Sequence, residues 1–104
     1  MKVEHWNSER DGKLTEGAFR SKLERLGYRV SRYTYAPGTY FSPHTHNADK
    51  IDAVLSGRFR IAMGGQSEVL QAGDAVLVPA HVEHEAEVVG NEPVISLDAV
   101  RIPT

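Results

Sequence analysis

The residues best suited to chemistry in this chain are histidines. His44 and His46 flank Thr45, and His81 and His84 lie further along. There is no cysteine, which excludes disulfides, thiolate metal sites and cysteine nucleophiles, so any metal must be held by imidazole with oxygen or nitrogen donors. Residues i and i+2 of an extended chain project from one face, so the rings of His44 and His46 can converge on one point. Such a pair alone has an ordinary alternative, two surface histidines beside Pro43. A third imidazole changes the balance. Between residues 83 and 88 the glutamates Glu83, Glu85 and Glu87 take one face of a strand, which leaves His84, Ala86 and Val88 on the other. His84 therefore points inward. Two neutral imidazoles from one extended segment and a third from a separate strand can occupy one side of the coordination sphere of a single divalent transition metal, with Fe, Ni, Zn, Mn and Cu all admissible. The remaining positions stay open for water or substrate.

The elements that must position these rings are mostly short β-runs. Residues 1–27 read as a polar head with one helix at about 15–26: Thr15 is a suitable N-cap, Phe19, Leu23 and Leu26 share a face, and Gly27 stands where a left-handed C-cap residue belongs. From Tyr28 to Thr104, β-rich segments are broken by Pro37-Gly38, Asn47-Ala48-Asp49, Gly57, Gly64-Gly65, Gly73-Asp74, Pro79 and Gly90-Asn91. That rhythm is typical of an all-β sandwich or barrel. In the run from Arg58 to Met63, Phe59, Ile61 and Met63 alternate with Arg58, Arg60 and Ala62, so they face inward and are the expected lining of a substrate pocket.

Two spaced motifs resemble those of the cupin superfamily. Gly38, five residues, His44-Thr45-His46 and then Gly57 follow the first cupin motif; Gly73, five residues, Pro79 and then His84 follow the second. Together they span about half the chain. The resemblance implies a single cupin-type double-stranded β-helix, or jelly-roll, barrel over residues 28–104 behind the helical head, with His44, His46 and His84 as metal ligands. Two positions depart from the pattern. Lys50 stands where the first motif carries a glutamate ligand, and His81 takes the glycine position of the second. Asp52 shares the strand face of Lys50 and is the better candidate than Asp49 for a substitute ligand. Lys50 and Asp52 are thus candidate catalytic residues, expected to form an ion pair beside the metal, the alternative being that Lys50 leans out of the barrel mouth into water, while His81 is expected at the pocket rim. The inward placement of Lys50 and Asp52 sends the apolar Ile51, Ala53 and Leu55 to the outer face, which then needs a cover from the head or a second subunit.

The resemblance brings metal-dependent dioxygenases, sugar isomerases and epimerases, and non-catalytic sensors into view. The leading expectation is a metal-dependent small-molecule enzyme, dioxygenase-like or isomerase-like. The alternatives are a barrel that binds or senses a metal or metabolite without turnover, and a structural dimer with a decayed site. A net charge of −2 gives no basic footprint for nucleic acid. No apolar run approaches the roughly 20 residues that span a bilayer, and the N-terminus does not open like a signal peptide. A small-molecule ligand, a cytoplasmic location and a homodimer are the remaining expectations.

Overall fold

The computed structural model describes residues 1–103. Its strands are β1 (Val3–His5), β2 (Tyr28–Tyr35), β3 (Tyr40–His44), β4 (Lys50–Ser56), β5 (Arg58–Met63), β6 (Gln66–Leu70), β7 (Asp74–Val78), β8 (His84–Val89) and β9 (Val94–Arg101), with helices α1 (Ser8–Asp11) and α2 (Glu16–Arg25). One antiparallel sheet has the order β1-β7-β4-β9-β2 and the other β3-β8-β5-β6. Such pairing of distant strands into two facing sheets is the double-stranded β-helix expected from the sequence.

Alternation decides what lies between the sheets. On β5, Phe59 and Ile61 are buried; on β8, His84, Ala86 and Val88 are buried while Glu85 and Glu87 reach solvent. With Val54, Leu70, Val76, Val78 and Val94 these apolar residues form the inter-sheet core. The charges on the outer face of the second sheet pair across strands, Arg60 Nε lying 2.7 Å from Glu87 and the Tyr40 hydroxyl donating to Glu85. That face is solvated.

A second core lies outside the first sheet. Phe19 and Leu23 of α2 pack with Tyr28, Val30, Ala53, Leu97 and Ala99, and Ile51 and Leu55 join them. The head therefore covers the outward apolar row of β4 within one chain. Thr15 caps α2 by accepting from the Ala18 N–H, and Gly27 follows it at φ 95°. Leu26 does not join the buried face as expected: the helix ends at Arg25, and Leu26 is 53% exposed. The head also holds more than one helix. β1 pairs with β7, which stitches the N-terminus into the first sheet, and α1 is capped by the Asn7 side chain.

Candidate metal centre

The three inward histidines come from the second sheet. His44 ends β3 and lies opposite His84 at the start of β8, while His46 follows in the loop that leads into β4. Their ring centroids are 4.3 Å apart for His44 and His84, 4.8 Å for His44 and His46, and 5.1 Å for His46 and His84. One nitrogen from each ring lies within 4.8 Å of the others. Two ligands on opposite sides of an ion at about 2.1 Å span about 4.2 Å, so small side-chain movements close this cluster onto one ion.

Hydrogen bonding prepares two of the rings. His44 Nδ1 is 2.6 Å from the Ser42 carbonyl oxygen and His84 Nδ1 is 3.0 Å from that of Val82. A carbonyl can only accept, so each Nδ1 carries the proton and each Nε2 keeps its lone pair for a metal. Burial, with the nearby Lys50 and the other imidazoles, holds His46 below the usual histidine range; burial and His44 do the same for His84. Neutral rings are the form that ligates. The donor set fits a divalent transition metal.

Backbone contacts between the two motif loops fix this arrangement. The His81 N–H donates to the His46 carbonyl at 2.8 Å, and the Ala80 N–H donates to Asp49 Oδ1 at 2.8 Å. His81 itself is exposed and left-handed, with φ 67°, which explains why the corresponding cupin position is a glycine. It positions His46 through its backbone and takes no place in the histidine cluster.

The opposite wall belongs to the first sheet. Lys50 and Asp52 of β4 and Asp98 of β9 line the same cavity of about 150 Å³ as the three histidines, together with Tyr35, Phe41, Phe59 and Ala86. The expected Lys50–Asp52 pair is replaced by another: Lys50 Nζ lies 2.8 Å from Asp98 Oδ1. The reason is register. Asp98 is directly opposite Asp52, one step diagonally from Lys50, whereas Lys50 and Asp52 are separated by two residues along one strand, about 6.6 Å. Asp52 is left facing a carboxylate. Burial and Asp98 push its carboxyl up to about 7, against the smaller opposing effect of Lys50. Burial and the same two carboxyls push the Tyr35 phenol up as well.

Of the expected pocket residues, Phe59 lines this cavity. Ile61 is wholly buried in the core, and Met63 lies one strand over from His84, lining a separate surface hollow. Asp98 was not among the expected site residues. Its signal was nevertheless present, since in Val94 to Val100 the polar Ser96 and Asp98 alternate with Ile95, Leu97 and Ala99. A carboxylate on the core side of such a strand needs a partner.

A family model described as Cupin domain matches residues 31–100. An uncharacterised protein of Streptomyces coelicolor is 33% identical over 70 residues, which cover 67% of each chain. Among solved structures, an RmlC-like cupin from Shewanella frigidimarina has 27% identity and a TM-score of 0.63 over 71% of this chain and 65% of its own. The DMSP lyase DddQ from Ruegeria pomeroyi has 25% identity and a TM-score of 0.65 over 73% of this chain, which spans only 39% of that protein. KdgF from Halomonas sp., at 23% identity and a TM-score of 0.63 over 74% of this chain and 72% of its own, shares the fold. Motifs, topology and family match agree: the chain is a small single-barrel member of the cupin superfamily.

Proposed function

We propose that this cupin is a metal-dependent enzyme that isomerises a small molecule or eliminates a group from it, using His44, His46 and His84 to hold one divalent transition metal. The observation that carries the reading is the opposition of two chemically different walls around one small cavity, three imidazoles on one side and Lys50, Asp52 and Asp98 on the other. When bound, the ion supplies Lewis acidity that favours loss of a proton beside a coordinated oxygen. The protein side chains do the rest. Phe41, Phe59 and Ala86 exclude water from the inner end of the cavity, and Lys50, held by Asp98, keeps N–H donors for a substrate oxygen. A carboxyl raised toward neutrality, as burial and Asp98 raise that of Asp52, is matched to proton transfer at the working pH. The cavity of about 150 Å³ has room for roughly five waters at 30 Å³ each, which limits the reacting part of a substrate to a few non-hydrogen atoms. The name of one structural neighbour, a DMSP lyase, is consistent with elimination chemistry on this barrel.

The dioxygenase reading uses the same three ligands but gives the acid-bearing wall no task. The two separate experimentally. Protein loaded in turn with Fe, Ni, Zn, Mn or Cu is incubated in D2O with a panel of small 2-hydroxy, 2-oxo and 3-substituted carboxylic acids, and carbon-bound deuterium and alkene products are followed by NMR. Metal-dependent exchange or elimination without oxygen uptake is expected. Oxygen consumption coupled to product would favour the dioxygenase reading, and ligand-induced stabilisation without any turnover would favour a binding barrel.

A further inference from the structure

We propose that Asp52 and Asp98 form a carboxyl pair that shares one proton and serves the substrate as acid and base at once. The catalytic half of this inference rests on the isomerase or lyase reading above; the shared proton does not. The case begins with register. Asp52 and Asp98 are directly opposed on neighbouring antiparallel strands of the first sheet, where facing residues approach to about 4.5–5.5 Å between Cα atoms. Two like charges there repel each other. Both side chains open into the same small cavity, so neither escapes to bulk water. Lys50 is the one cation lining that cavity, and its ammonium is engaged with Asp98 at 2.8 Å.

One lysine cannot neutralise two carboxylates. The remaining charge is removed by a proton that the two facing carboxyls share. With Lys50 the set is then neutral overall. The other groups facing it are His44, His46 and His84 across the cavity and the Tyr35 hydroxyl from β2; none is a fixed cation that could stand in for the proton, and burial disfavours the charged form of His46 and His84.

A pair with one proton can complete an isomerisation with no net gain or loss of protons, and because carboxyl protons exchange with water between turnovers the proton returned to carbon carries the solvent isotope. Asp98 accepts a proton from a substrate carbon, the electron pair of the broken C–H bond forms a new C=C bond, and Asp52 gives its proton to the substrate oxygen or to the adjacent carbon. The pair ends with one proton, now on Asp98, and a second transfer in the opposite sense restores it. For an elimination, the proton from Asp52 goes instead to the departing group. No oxidant or reductant is needed.

The test reads the proton directly. Infrared spectra of metal-free protein with 13C-labelled aspartate, recorded at pH 6, should show the C=O stretch of one protonated aspartic acid. Asp52→Asn and Asp98→Asn should each abolish it, because either remaining carboxylate can then be neutralised by Lys50. Survival of the band in Asp98→Asn, or its absence from the wild type, would overturn the shared proton. Circular dichroism establishes that each variant is folded. In the exchange assay on metal-loaded protein, both variants should lose at least tenfold in rate with metal content unchanged; wild-type rates in either would overturn the acid–base role. If the wild type shows the band but no exchange with any metal, the enzymatic reading and the transfer step fall together, and the shared proton stands.

Discussion

At the scale of single residues, Asp52 should make the fold sensitive to pH in an unusual direction. Its carboxyl is raised from 3.8 to about 7 by burial and by Asp98. Between those values the native state holds a proton that the unfolded chain has released, so stability falls as pH rises through this window. Asp52→Asn keeps a hydrogen-bond donor toward Asp98 and removes the titration. Relative to the wild type it should gain about 2–3 kcal/mol between pH 5 and pH 8, since each unit is worth about 1.4 kcal/mol. Urea denaturation at the two pH values checks this, and an equal stability difference at both would contradict it. Lys50 carries a related expectation. With its side chain in the cavity, Lys50→Glu should supply an oxygen ligand and raise metal affinity at least tenfold, about 1.4 kcal/mol, in a direct titration. The same change strips Asp98 of its partner, so the metal-free variant should be less stable than the wild type.

At the scale of elements, two loop positions show how the motifs earn their residues. Gly57 turns at φ 82°, and a Cβ there would lie 2.3 Å from the Pro93 carbonyl oxygen. Backbone cannot give way as a flexible side chain can, so Gly57→Ala should cost at least about 3 kcal/mol or prevent folding. His81 is the converse, a residue with a Cβ held at φ 67°. His81→Gly should relieve about 1–2 kcal/mol of left-handed strain against a somewhat smaller entropic loss, for a net gain of up to about 1 kcal/mol in thermal unfolding, with metal binding unchanged. Much of the site was legible in the sequence because strands have a period of two. The alternation of Glu83 to Val88 turned His84 inward, and that of Arg58 to Met63 buried Phe59 and Ile61. What was hidden depends on pairing between distant strands. No local pattern says that Asp98 sits opposite Asp52, and so the partner of Lys50 was misassigned. β1 escaped for a simpler reason: three residues, Val3 to His5, are too few to display a period.

At the scale of the whole molecule, the head and the barrel are one cooperative body, since α2 seals the outer core and β1 extends the first sheet. The expectation of a homodimer began from the outward apolar row of β4. Phe19 and Leu23 already cover that row, so on that face a partner subunit is left the adjoining groove, where Leu26 and Leu77 remain 53% and 48% exposed. A dimer built there should dissociate on Leu77→Glu, as light scattering can establish; a wild type that is monomeric at micromolar concentration would contradict it. The central claim concerns the opposite sheet, where two strand-borne imidazoles and that of His46 in the loop after β3 are set to hold one ion. Its most direct test is the metal content of untagged protein, wild type and His84→Ala, after dialysis against each candidate metal and removal of free ion. The account predicts one ion per wild-type chain with at least one of these metals and near-complete loss in the variant. No ion in the wild type, or full occupancy in His84→Ala, would contradict it.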